Sequence, residues 1–218
     1  MKYTTILFDL DGTLIDTSEG IIKCASFTLK KLNKPELTID QYQSFIGPPL
    51  KQSFISLCGF NEKQANDAVE IYRNRYNDKG LYEAKLYHNM EELLRFLKNN
   101  QINIGVATLK RDDLAKKIIH HFGISNYFHS INGIDENDSY SKADIITICL
   151  NEIGERQHSK VLLIGDSVYD SIGAEQVGID FCAVTYGFGF KNRKVANETK
   201  NVYIANDVAE LKQFLKNV

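Results

Sequence analysis

The sequence predicts an α/β fold: a doubly wound parallel sheet with an all-helical segment inserted after its first strand. Continuously apolar runs such as Ile6-Leu7-Phe8, Ile104-Gly105-Val106-Ala107 and Val161-Leu162-Leu163-Ile164 read as strands buried on both faces. They alternate with stretches whose apolar residues recur at helical spacing, the pattern of a parallel sheet covered on both sides. The stretch from about 17 to 80 has helical periodicity and no strand signal. The expected domains are an α/β core of 1–16 and 81–218 and a helical domain of 17–80.

Bulk properties exclude several classes. At 218 residues the chain has room for one large domain or two modest ones. With 43% hydrophobic and 25% charged residues it is compositionally ordinary, and a formal net charge of −2 gives no general attraction to nucleic acid polymers or anionic membranes. No apolar run approaches the roughly 18 residues of a membrane span. A strand begins almost at the N-terminus, so no signal peptide is expected and the expected location is the cytoplasm. Cys24, Cys58, Cys149 and Cys182 form no C-x-x-C pair and lie among apolar residues, the pattern of reduced, buried thiols.

The elements follow in order. Asp16-Thr17-Ser18-Glu19 offers capping residues to a helix carrying Ile21, Ile22, Ala25, Leu29 and Leu32, which Lys34-Pro35 breaks. Thr38-x-x-Gln41 has the form of a capping box for a short helix, ended by Gly47-Pro48-Pro49. A helix over 50–57 closes at Gly59, and Asn61-x-x-Gln64 opens a longer one with Ala65, Ala68, Val69, Tyr72 and Tyr76 on one stripe. Asn77-Asp78-Lys79-Gly80 is a loop signal. Asn89-x-x-Glu92 is expected to cap the next helix. Strands are then expected over 102–108, 130–134, 161–164, 179–185 and 201–205. Helices are expected over 112–122, 142–153 and 208–215, with another ending near Gly178.

Ligands of an open parallel sheet bind outside the carboxyl ends of its strands, so the residues after each apolar run form the candidate site. The first run delivers Asp9 and Asp11, although Asp is depleted in strands. In an extended segment residues two apart share a face, so both carboxylates can aim at one point. There they repel unless a cation lies between them or one holds a proton. The simplest reading is a divalent metal with a nucleophile or acid/base beside it; a tight Asp-Gly turn is the competing local reading. A calcium EF-hand loop is set aside, because Thr13 and Leu14 stand where it needs an oxygen ligand and a glycine, and a strand rather than a helix precedes.

The second run delivers Thr108, with Lys110 two residues on, and the fourth delivers Gly165-Asp166-Ser167-Val168-Tyr169-Asp170. Alone, Thr108 reads as the start of a turn and Asp166 as a helix N-cap. Lys142 begins a helix, where positive partial charge makes a cation locally unfavourable, which invites an anionic partner from elsewhere. Together these residues describe a compact metal-and-anion site. His120-His121 suits a helix C-terminus, and Gly187-Phe188-Gly189 carries only part of a dinucleotide fingerprint and reads as a loop.

With these residues in view, the sequence resembles the haloacid dehalogenase superfamily of aspartyl-phosphate hydrolases. Asp9-Leu10-Asp11-Gly12-Thr13-Leu14-x-Asp16 matches its first motif, Thr108 its second, Lys142 its third and Gly165-Asp166-x-x-x-Asp170 its fourth, in order across nearly the whole chain. The insertion, with Phe45-Ile46-Gly47-Pro48-Pro49-Leu50, resembles the cap of the phosphoglycolate phosphatase-like branch. The stretch from Tyr169 to Gly178 and Tyr186-Gly187-Phe188-Gly189 resemble that branch and its 5′-nucleotidase-like relatives. Leu109 departs from the pattern, since relatives often carry a small polar residue before the lysine; this puts the substrate side in doubt, not the chemistry.

The resemblance implies a Rossmann-like core and Mg²⁺-dependent hydrolysis of a small-molecule phosphate monoester through an aspartyl-phosphate. Asp9 would be the nucleophile, and Asp11 the general acid and then base. Mg²⁺ would bind Asp9, the Asp11 main-chain carbonyl and Asp166, with Asp170 a further ligand or a support. Thr108, with Leu10, Leu109 and the backbone N–H groups after Asp9, would hold phosphate oxygens, and Lys142 would neutralise charge. The cap would close and select the leaving group, with Gly47, Pro48, Lys51 and Arg73, and also Arg75, as its candidate residues. Phosphoglycolate stands first among substrates; 5′-nucleotidase, sugar-phosphate mutase and pyrophosphatase activities are the alternatives. A dehalogenase proper lacks the second acid, and a phospho-accepting receiver module is about half this length and lacks the insertion. The expected partner is the small-molecule phosphate ester alone, with no nucleic acid polymer and no membrane, for a monomer or homodimer.

Overall fold

The computed structural model describes residues 2–47, 49–135 and 139–218. The chain divides into two compact units, Met1–Asp16 with Leu86–Val218, and Thr17–Lys85. In chain order, β1 (Thr5–Phe8) is followed by the short β2 (Ile15–Asp16), by which the chain leaves the first unit. The helical unit holds α1 (Ser18–Lys31), α2 (Ile39–Gln43), α3 (Leu50–Cys58) and α4 (Glu62–Asp78), and the chain returns through β3 (Lys85–Leu86). Then come α5 (Met90–Asn99), β4 (Asn103–Arg111), α6 (Asp112–His121), β5 (Ser130–Ile134), α7 (Lys142–Ile153) and β6 (Val161–Gly165). The chain continues through α8 (Val168–Val177), β7 (Asp180–Val184), α9 (Arg193–Ala196), β8 (Tyr203–Ala205) and α10 (Val208–Lys216).

The first unit is an α/β fold with one six-stranded sheet in the order β5-β4-β1-β6-β7-β8. Among the described residues its strand pairings are parallel, and every residue of β1 and β6 is buried, as strands covered on both faces must be. The register sets Phe8 beside both Val106 of β4 and Ile164 of β6. Chain order runs outward from β1 to β4 and β5, then jumps back to β6 on the other side. The strand order therefore reverses at β1, the position at which open sheets bind ligands. One face of the sheet is sealed by Leu7, Ala107, Leu163 and Ala183 packed with Ile145, Ile146, Cys149 and Ala174 of α7 and α8.

The helical unit carries its own core. Phe54 of α3 meets Phe45 edge-on at 5.1 Å and Tyr72 of α4 at 6.4 Å, and stacks with Phe60 at 5.9 Å. The capping box read at Thr38 and Gln41 forms, and Asn61, read as opening α4, makes another with Gln64. Residues beyond the expected boundary at 80 group with this unit because Leu81 is fully buried and Arg75 grips Glu83 through two bonds of 2.7 and 3.1 Å.

Two expected helix starts differ. Thr17 stands at the N-cap of α1 without a side-chain cap bond, and so does Asn89 before α5. Asn89 has φ 64°, a left-handed conformation that turns the chain into the helix, whereas a capping side chain works from extended backbone. The short helix α9 carried no apolar period to announce it.

Because each unit buries its own apolar residues, replacing Thr17–Lys85 by a short glycine linker is expected to leave the sheet unit folded. Circular dichroism should retain the α/β signal, with a cooperative thermal transition. An unfolded product would show that the sheet unit depends on the insertion for its core.

Candidate active site

Each strand end delivers its residue by a local device. Asp9 follows β1 directly, and its N–H donates to the Ile164 carbonyl at 2.9 Å, extending the β1–β6 ladder by one step. After Asp9 the chain turns: the Gly12 N–H donates to the Ile15 carbonyl at 2.9 Å, and Gly12 has φ 82°, which favours glycine. A side chain there would also strike the Asp166 carboxylate.

Lys142 is the first residue of α7. Ser141 caps that helix in a box with Asp144, whose backbone N–H donates to the Ser141 hydroxyl at 3.2 Å. The Lys142 ammonium lies 2.7 Å from Asp9 Oδ1 and 2.6 Å from Asp170 Oδ1, with only 5% of the side chain exposed. The anionic partners are thus carboxylates of this chain. Room for the lysine stem comes from Gly173 in mid α8, where an added Cβ would lie 2.6 Å from Lys142 Cγ. Glycine inside a helix costs roughly 0.5–1 kcal/mol relative to alanine, and that passage is what the cost secures.

Asp170 has both oxygens engaged, Oδ1 by Lys142 and Oδ2 by the Ser167 N–H at 3.0 Å and hydroxyl at 2.6 Å. Asp166 is held from outside its own helix: its Oδ2 accepts from the N–H groups of Phe188 and Gly189 at 2.6 and 2.9 Å. The N-cap position of α8 belongs to Ser167, one residue later. Tyr186 supports this loop by donating its hydroxyl to the Thr13 carbonyl at 3.1 Å while its ring meets Tyr87 edge-on at 4.7 Å.

Oxygens of Asp9, Asp166 and Asp170, all buried, lie within 4.8 Å of one another. Burial, then the charges of Asp170 and Asp166, push the Asp9 carboxyl up to about 7 against the pull of Lys142. Burial and Asp170 push Asp166 up to about 6, opposed by the Gly189 and Phe188 amides. Burial works against the charged form of Lys142, yet Asp170 and Asp9 outweigh it and hold the ammonium above its ordinary range. Three carboxylates face one buried ammonium, so negative charge is in excess. A hard, all-oxygen donor set with that excess fits a divalent cation.

The Asp11 carboxylate stands apart from this cluster. β1 ends at Phe8, and Asp11, its backbone bridged to Ile15, pairs with Lys110 at 3.1 Å. Thr108 is buried at the end of the apolar part of β4, and its hydroxyl accepts from the Lys110 N–H at 3.1 Å. Leu10 is fully buried, whereas Leu109 is 38% exposed. In the helical unit, Lys51 pairs with Glu62, Arg73 is exposed, and Gly47 has φ 104° with open space around it. Pro48 lies outside the described residues. Arg75 is engaged by Glu83. Sequence reasoning missed the Phe188 and Gly189 amides, Gly173 and the partnership of Lys110; the glycines of the 187–189 loop were the available signal for the first.

The cluster lies at the strand-order reversal of a doubly wound sheet, and comparison with known proteins gives the family. The family model for haloacid dehalogenase-like hydrolases matches residues 6–184. A 5′-nucleotidase of Pseudomonas aeruginosa is 37% identical over 218 residues, covering 99% of this chain and 97% of that protein. A phosphoglycolate phosphatase of Aquifex aeolicus is 27% identical, covering 89% and 90%. The solved structure of a haloacid dehalogenase-like hydrolase from Streptococcus pneumoniae superposes with a TM-score of 0.87 at 32% identity, covering 98% of this chain and 99% of that one. The chain belongs to the haloacid dehalogenase-like hydrolase family, and among its enzymes to the phosphatases. No helix among the described residues is long and apolar enough to cross a membrane.

The raised carboxyls make a stability prediction for metal-free protein. Asp9 at about 7 and Asp166 at about 6 bind protons more tightly folded than unfolded, where a carboxyl titrates near its model value of 3.8. The folded state therefore carries more protons between these values, and stability falls as pH rises from about 4 to about 7. The thermal midpoint in chelator is expected to drop across this window, and less so in Asp9→Asn. A flat profile for both proteins would show that the cluster is balanced without a cation.

Proposed function

We propose that the protein is a Mg²⁺-dependent phosphatase that hydrolyses a small phosphate monoester through a phosphoryl group carried on Asp9. The observation that supports it most is the buried Asp9 carboxylate, gripped on one oxygen by Lys142 and grouped with Asp166 and Asp170 at the strand-order reversal. Asp9, Asp166 and the Asp11 main-chain carbonyl would hold the cation. Asp170, with both oxygens already engaged, would support it. When bound, the ion supplies positive charge against the phosphoryl oxygens.

A free Asp9 oxygen attacks phosphorus; the bond to the ester oxygen breaks, and that oxygen leaves with the electron pair and takes a proton from Asp11. A water then attacks the same phosphorus and gives its proton to Asp11, and Asp9 departs as a carboxylate. Lys142 keeps Asp9 oriented and offsets charge as it builds. The Thr108 hydroxyl, whose oxygen already accepts from Lys110, would donate its hydrogen to a phosphoryl oxygen, with the backbone N–H of Leu10 beside it. Leu109, with its side chain exposed, would contribute through its backbone. Nucleoside 5′-monophosphates come first as substrates, on the support of the Pseudomonas aeruginosa relative, and phosphoglycolate second. Leaving-group selection is assigned to the helical unit, where Lys51 and Arg73 are the side chains to vary.

The test is hydrolysis of nitrophenyl phosphate, nucleoside monophosphates, phosphoglycolate, sugar phosphates and pyrophosphate with Mg²⁺ and after chelation. Asp9→Asn is expected to reduce kcat by on the order of a thousandfold or more while far-UV circular dichroism is unchanged. More than a few per cent of residual turnover would remove Asp9 as nucleophile, and undiminished activity in chelator would remove the cation.

Asp11→Asn is expected to slow alkyl phosphates, whose leaving groups are poor, more than nitrophenyl phosphate, by roughly a hundredfold in kcat. Equal losses on both would show that Asp11 is not the acid.

A further inference from the structure

We infer that Lys110 is a positioning residue for the Asp11 carboxylate, aiming it at the ester oxygen; the inference rests on the phosphatase reading, in which Asp11 is the acid. The Lys110 ammonium lies 3.1 and 3.3 Å from the two Asp11 oxygens. The Lys110 side chain is 9% exposed while that of Asp11 is 26% exposed, so the enclosed partner holds the more open one. Asp11 sits in the turn after β1, with its backbone bridged to Ile15. Its short side chain has nothing in strand geometry to point it.

The backbone that presents Lys110 is built for the purpose. Ala107 of β4 stands opposite Asn132 of β5, and Arg111 stands opposite Ile134, so four steps on β4 face two on β5. That bulge holds Thr108, Leu109 and Lys110, and bulges re-aim side chains beside active sites. Two features hold its shape. The Thr108 hydroxyl accepts from the Lys110 N–H at 3.1 Å. Gly133 lets β5 press against the bulge, since a Cβ there would run into the Lys110 carbonyl oxygen and lie 2.7 Å from Asp112 Cα. The Gly133 N–H donates to Asp112 Oδ1 at 3.1 Å, which closes the contact. The phosphate-side hydroxyl and the lysine that holds the acid are thus set by one irregularity in one strand.

Lys110 takes no part in the proton transfer; the proton that moves passes between Asp11 and the leaving oxygen or water. Its contribution is orientation, and small misplacements of a catalytic group carry large rate costs.

The experiment is kinetics of Lys110→Met, Lys110→Gln and Lys110→Arg with nitrophenyl phosphate and an alkyl phosphate, alone and in the Asp11→Asn background. Lys110→Met is expected to lower kcat for the alkyl ester by roughly ten- to a hundredfold. Its kcat for the nitrophenyl ester and both KM values should change by less than about threefold. Lys110→Arg should recover part of the loss, and in the Asp11→Asn background Lys110→Met should add none. A raised KM at unchanged kcat, equal losses on both esters, or a full further loss beside Asp11→Asn would overturn the inference. If Lys110→Met does not fold by circular dichroism, Lys110→Gln decides by the same criteria. Failure of the parent reading is separate: it shows as no esterase activity in the unmodified protein or no leaving-group dependence in Asp11→Asn itself.

Discussion

The Lys142 ammonium, buried between Asp9 and Asp170, is the contact on which the carboxyl end of the sheet depends. Three carboxylates meet there within 4.8 Å. Each has lost much of its hydration, and each repels the others. Removing one partner of a buried pair costs about 3–5 kcal/mol because a bare charge is left behind; here two carboxylates would be left at once. The lysine reaches them only because other positions yield to it. Ser141 and Asp144 satisfy the start of α7, and Gly173 opens a channel through α8. Burial first, and then neighbouring carboxylates that one ammonium does not balance, keep Asp9 and Asp166 above the usual carboxyl range. The same deficit that strains the fold makes the cluster fit for a cation.

Much of this was legible in the residues because the information was local. Apolar runs with nothing polar to place outward can only be central strands, and β5 falls on Ser130–Ile134 as its residues suggest. Knowing that ligands collect at strand ends then selects Asp9, Thr108 and Asp166 without any pairing being known. Strand order was not legible, since periodicity tells which faces are buried and not which strands are neighbours. Nor was the far end of β4, which runs on through Thr108-Leu109-Lys110-Arg111 because β5 pairs with it beyond the bulge. Asn89 shows the same limit: its spacing to Glu92 fits a capping box, but a left-handed backbone removes the geometry the box needs.

Asp166 shows how a residue's role can lie outside its own segment. Its position before α8 suggests a helix cap, and the Gly-Phe-Gly stretch twenty residues on reads only as a loop. Folding joins the two: the loop's amides donate to the carboxylate, and glycines 12 and 187 let the backbone come that close. Main-chain donors suit this task. They cannot rotate away, and by favouring the charged form they oppose burial and the field of Asp170.

The two acids of the first motif illustrate what the turn after β1 accomplishes. Had the strand continued, both carboxylates would have faced one point, and the repulsion between them would have fallen on the same lysine. The strand ends at Phe8 instead, and the two acids meet different partners. Asp9 stays with Lys142 and the carboxylate cluster, buried and short of positive charge, while Asp11 moves to the side of β4 and meets an ammonium of its own. Neighbouring acids in unlike surroundings take unlike roles. A nucleophile needs a fixed, desolvated carboxylate, and a proton carrier needs one that is held but still reachable. On the proposed reading the first is Asp9 and the second Asp11, two residues apart at one strand end.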